Sequence, residues 1–86
     1  MGTKNQPGAF DAYAKAEPDE PMFVLLARDA AAPQMVRAWA WLRRRQIREG
    51  KKPGEDEEMV AEAMQCAEAM EAWRRKRQSR TDKGRA

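Results

Sequence analysis

The chain contains no histidine and a single cysteine, Cys66. Without imidazole it lacks the side chain that most often serves as general base near neutral pH and most often ligates metals. One thiol and no imidazole leave no zinc site, and a lone cysteine allows no intramolecular disulfide. Glycine-rich phosphate loops, nucleophile elbows and paired-histidine helices are equally missing. Carboxylates are the main acid–base groups left, and nothing in the pattern pairs them in a pocket-like context. No catalytic residue, metal ligand or cofactor site is assigned, and a non-enzymatic role is expected. Long apolar runs are also scarce. The longest, Met22 to Ala27, has six residues, too few to span a bilayer or form a signal core. These absences predict a soluble, cytoplasmic protein with no membrane contact.

What is present suits a small helical domain. At 86 residues the chain forms one domain with a thin core, because folding at this size buries only about 60% of the unfolded surface. Apolar residues make up 42% and charged residues 36%, a balance that fits helices with one apolar face better than disorder. Six Met and three Trp suit either irregular core gaps or an adaptable binding face. The expected fold is all-α: a small three-helix domain with a short apolar helix and a helical hairpin. An extended N-terminal arm covers residues 1–17, the helical domain residues 18–78, and a basic, disordered tail residues 79–86.

In the arm, Phe10 and Tyr13 are spaced to pin one short turn to the body. Pro18-Asp19-Glu20-Pro21 reads as a helix start, with Asp19 as N-cap and Pro21 at an early position needing no donor. Met22 to Arg28 is then a short apolar helix. A buried strand is the competing reading, but no second strand-like segment exists to pair with it. The next helix starts between Ala32 and Gln34, after Asp29 and at Pro33, and ends near Glu49 before Gly50. Met35, Trp39 and Leu42 form one apolar stripe, and Val36, Ala40, Arg43 and Ile47 the adjacent one. Trp41 falls about 200° from Trp39, so one of the two is expected to be exposed. The last helix begins with Glu55 to Glu58 and ends with Arg74 to Arg77, matching the macrodipole at both ends. Between them Met59, Ala63, Cys66, Met70 and Trp73 make a coiled-coil-like seam flanked by Val60, Met64 and Ala67.

Charge is unevenly distributed. Arg43, Arg44, Arg45, Arg48, Lys51 and Lys52 lie opposite the Glu55 to Glu58 cluster in an antiparallel hairpin and are expected to neutralise it. Residues 74–86 carry seven Lys or Arg and one acid, so the net positive charge resides there. Arg74, Arg75, Lys76, Arg77 and Arg80 are the candidate contacts to nucleic acid or another acidic partner; a solubilising role explains the tail equally well. Trp41, Trp73, Met70, Arg28 and Asp29 are the candidate protein-binding residues, with the aromatics as anchors. Local capping and a salt bridge explain Arg28 and Asp29 equally well. Cys66, on the seam, is expected to be a buried structural thiol. A homodimer through helix 59–73 is a further expectation.

Two stretches resemble a known group of sequences. They are Pro7-Gly8-Ala9-Phe10-Asp11-Ala12-Tyr13 and the block from Ala16-Glu17-Pro18-Asp19-Glu20-Pro21-Met22-Phe23 through Val24-Leu25-Leu26-Ala27-Arg28-Asp29. The likeness continues at Ala32-Pro33, Val36-Arg37, Trp39-Ala40 and Cys66 to Trp73. This pattern resembles a family of small uncharacterised proteins of tailed bacteriophages and prophages. Ala12 departs from it where the family carries cysteine, so a thiol or metal role shared with Cys66 is not expected here. The resemblance implies a phage origin and residence in a host bacterial cell, and it brings no catalytic residues. By analogy with other small phage proteins it suggests binding to a host protein or ribonucleoprotein complex, such as a CRISPR–Cas defence complex, to inhibit or redirect it. The alternative is a nucleic-acid-binding accessory protein acting through the basic tail.

Overall fold

The computed structural model describes the backbone of residues 1–85 and the side chains of residues 1–78. The described residues contain three helices and no strand: α1 (Ala12–Lys15), α2 (Ala32–Arg48) and α3 (Glu57–Arg85), with a 3₁₀ turn at Gly54–Asp56 before α3. Helices α2 and α3 form the antiparallel hairpin expected from the sequence.

The hairpin turn follows from backbone chemistry. Helix α2 ends at the αL residue Gly50, φ 75°, a conformation that costs an L-residue steric strain. Gly50 N–H donates to Ile47 O, and Lys51 N–H donates to Gln46 O at 2.9 Å. This paired pattern is a Schellman motif, which satisfies two of the carbonyls left without partners at a helix end. Pro33 occupies the first turn of α2, where a missing N–H costs nothing. Asp29 stands just before it. Its carboxylate accepts from Ala31 N–H at 2.9 Å, and its carbonyl accepts from Ala32 N–H at 3.0 Å.

The core is small in both senses. Ala32, Ala40, Val60, Ala63 and Ala67 are its buried apolar residues, and Val60 alone contributes a sizeable fully buried side chain. Burying it stabilises the fold by roughly 1.5–3 kcal/mol. Met1, Val36, Trp39 and Ile47 pack around Ala40, Val60 and Ala63 and close the cluster. Alanines along the contact line let the two backbones approach, so the larger groups wrap the contact from its sides. The amino group of Met1 pairs with the Glu62 carboxylate.

Several sequence expectations change. The seam of α3 is rotated: its innermost line is Val60, Ala63 and Ala67, while Met59, Cys66 and Met70 are half-buried and Trp73 is exposed. The close approach of α2 selects the smallest side chains on α3 as the contact line. On α2 the stripe of Val36, Ala40, Arg43 and Ile47 faces α3, whereas Met35 and Leu42 are exposed. The short apolar helix over Met22 to Arg28 does not form. Residues 21–26 are neither helix nor strand, because a helix this short has an unfavourable nucleus and nothing packs on this one to offset it. Pro18 and Asp19 sit inside a turn closed by Glu20 N–H to Glu17 O at 3.0 Å rather than starting a helix. The third helix is instead α1, capped by the Asp11 carboxylate accepting from Tyr13 N–H. Tyr13 is 80% exposed and does not pin the arm. Helix α3 runs to Arg85, beyond the end expected near Gln78; the side chains of the tail, Arg80 among them, lie outside the described residues.

Candidate functional site

Hairpin register decides which predicted residues meet. Arg37 lies beside Glu71, with Nη2 2.6 Å from the carboxylate, and Arg43 and Arg44 lie beside Asp56 and Glu57 at 3.0 and 3.3 Å. The turn end of the hairpin thus neutralises Arg43 and Arg44 against the acids that open α3. Arg45 and Lys51 both reach Glu49. The basic end of α2 is therefore largely engaged within the chain, as its sequence position suggested.

At the other end of the hairpin the situation reverses. Trp73, Arg74, Arg77 and Gln78 of α3 come together with Arg28, from the connection before α2, around an open cleft of about 390 Å³. Four of the residues selected from the sequence for two different roles thus line a single surface. No described residue forms an ion pair with Arg28 or Arg74. Trp73 is 45% exposed, and the Arg77 guanidinium lies over its indole, 5.2 Å from the ring centroid. Arg75 and Lys76 are exposed but do not line the cleft. Asp29, the acid next to Arg28 in sequence, is occupied by the turn before α2 and is not part of the lining.

Every tryptophan carries an arginine four residues later, and each pair stacks. Arg43 lies 5.2 Å from the Trp39 ring and Arg45 5.8 Å from the Trp41 ring, besides Arg77 over Trp73. One helical turn of four residues brings such pairs face to face, and the ring quadrupole attracts the cation. The threefold Trp-x-x-x-Arg spacing was visible in the sequence, but its meaning depends on which tryptophans stay exposed. Trp41, 60% exposed, projects from α2 nearly two turns along the hairpin from the level of Trp73. The two aromatic anchors do not share a site.

A second surface was not foreseen. Within residues 21–26, Phe23 is 88% exposed and Met22, Val24 and Leu26 are also largely open. Among the described residues, the backbone groups of Met22 to Leu25 make no hydrogen bond; Leu26 O accepts from Asp29 N–H. The segment borders a cleft of about 400 Å³ whose apolar wall is made by Phe10, Pro21, Met22, Phe23 and Met59, with Lys15 and Glu20 also in the lining. The Lys15 ammonium lies over the Phe10 ring at 4.9 Å. What the sequence presented as a helix destined for the core is an open apolar flank.

Cys66 is half-buried. Burial pushes its thiol pKa up, the nearby Glu62 carboxylate adds to the rise, and the amino terminus opposes it. The thiol therefore stays protonated near neutral pH and is a poor nucleophile. No group of three or more Cys, Asp or Glu side chains placed to hold a metal occurs among the described residues. No helix among them is long and apolar enough to cross a membrane.

These features define a small helical-hairpin protein with an irregular apolar flank and a basic, tryptophan-bearing end. No family model matches the chain, and no curated protein or solved structure matches it significantly.

Proposed function

We propose that this chain is a small protein-interaction module that docks onto a partner through its apolar flank. The observation that carries this reading is the segment Met22 to Leu26, with exposed apolar side chains, and with backbone groups from Met22 to Leu25 that pair with no described residue, beside a largely apolar cleft. A monomer gains nothing by holding Phe23 in water. A partner chain laid along the segment would pair its backbone and seat a side chain in the cleft, the division of labour of strand-addition recognition. The resemblance to small phage proteins supports a more specific form of the reading, in which the partner is a host protein or ribonucleoprotein complex that is inhibited or redirected, a CRISPR–Cas complex being one example.

The test is a pulldown from nuclease-treated bacterial lysate with the full chain and with Phe23→Asp. Residue 23 makes no core contact, so the variant retains its helical circular dichroism. The expected result is one protein complex held by the original chain and lost by the variant. Capture that occurs only when the nuclease is left out, or equal capture by both proteins, would sink the proposal.

A further inference from the structure

The basic end of the hairpin lies apart from the apolar flank and has its own chemistry. Arg28 and Arg74 reach it from separate elements, and neither forms an ion pair with a described residue. Between them an exposed indole supplies a flat apolar wall, partly covered by the Arg77 guanidinium. On α3 the four residues after Trp73, Arg74, Arg75, Lys76 and Arg77, are all cations with no acid among them, and Arg74 and Arg77 line the cleft.

We propose that the cleft lined by Arg28, Trp73, Arg74, Arg77 and Gln78 binds single-stranded nucleic acid, with phosphates on the Arg28 and Arg74 guanidinium groups and a base against Trp73. Guanidinium groups match phosphate oxygens in planar, paired geometry. Indole and guanidinium planes both accept an unstacked base, which favours a single strand over a duplex whose bases are already stacked. An acidic peptide would satisfy the arginines but leave the indole face without a planar partner. A ribonucleoprotein would present both this ligand and a protein surface for the apolar flank.

The experiment is fluorescence anisotropy of a labelled short single-stranded oligonucleotide titrated with the full chain, repeated over a range of salt concentrations. Arg28→Gln and Arg74→Gln should each weaken binding and lower the salt slope by about one. Trp73→Ala should weaken binding roughly tenfold with the slope unchanged, and Trp73→Phe should retain most of the affinity. Arg28 and Trp73 are exposed, and circular dichroism confirms that each variant is folded. The proposal is overturned by no binding, by Arg28→Gln and Trp73→Ala variants that bind as tightly as the original chain, by a duplex that binds tighter, or by polyglutamate that competes as well as the oligonucleotide.

Discussion

Arg37 on α2 donates from Nη2 to Oε1 of Glu71 on α3 at 2.6 Å, and this bond locks the hairpin at the end remote from its turn. Its position has a functional consequence. With residue 71 held beside residue 37, Trp73 and Arg74 emerge where α2 begins, next to Arg28. The pair thus marks the level at which the basic cleft forms.

The hydrogen bond from Arg37 holds the Glu71 carboxyl below the usual carboxylate range, against a smaller opposing effect of desolvation. Because the folded pKa lies below the unfolded one, near 4.3 for a glutamate, the pair stabilises the fold above that value. The contribution fades as pH falls through the folded pKa. Urea denaturation of the original chain and Glu71→Gln should show a stability gap at neutral pH that closes at strongly acidic pH. A gap independent of pH would mean that the substitution acts through packing.

Ala63 is fully buried on the contact line between the helices. Ala63→Leu should destabilise the protein by about 1–3 kcal/mol, because the three extra side-chain carbons cannot be accommodated without parting the backbones. Ala61→Leu, at an exposed position of the same helix, should change stability by no more than about 0.5 kcal/mol. Thermal melts of the two variants compare the contact line with the outer face directly.

Gly50 has open space where a Cβ would stand, so its only constraint is the positive φ. Gly50→Ala should cost about 1 kcal/mol through backbone strain, and Gly50→Asn less, since asparagine tolerates this region better. Equal stability of all three proteins in urea would show that the turn does not need the αL residue.

The Cys66 thiol titrates above its ordinary range because it is half-buried near Glu62. Its alkylation by iodoacetamide should be slow at neutral pH, with a midpoint above the value of about 8.5 seen for free cysteine. Unfolding the protein in urea should bring the midpoint back to that value. A folded-state midpoint below it would assign the thiol a reactive role.

Local chemistry was legible in the sequence wherever a few neighbouring residues settle the outcome. Pro33 and Gly50 mark the limits of α2, the acids at 55–58 and the bases at 74–77 mark α3, and the hairpin pairs Arg43 and Arg44 with the acids. The core line was harder to read, because α3 has apolar residues on more than one stripe. Only the approach of α2 selects Val60, Ala63 and Ala67 over Met59 and Trp73. The segment from Met22 to Leu26 misled for a related reason. Its composition suits burial, but burial needs a surface to pack against, and the hairpin closes on alanines without offering one.

The basic, tryptophan-bearing end shows the same division. Composition and order by themselves determined that the chain is helical, that its excess positive charge lies at the end of α3, and that each indole has an arginine one turn away. Only the tertiary structure decided that Arg28, some forty-five residues earlier in the chain, stands beside Trp73 and Arg74. Helix propensity and charge bias act over a few residues, whereas a cleft is made by groups that the hairpin register brings together.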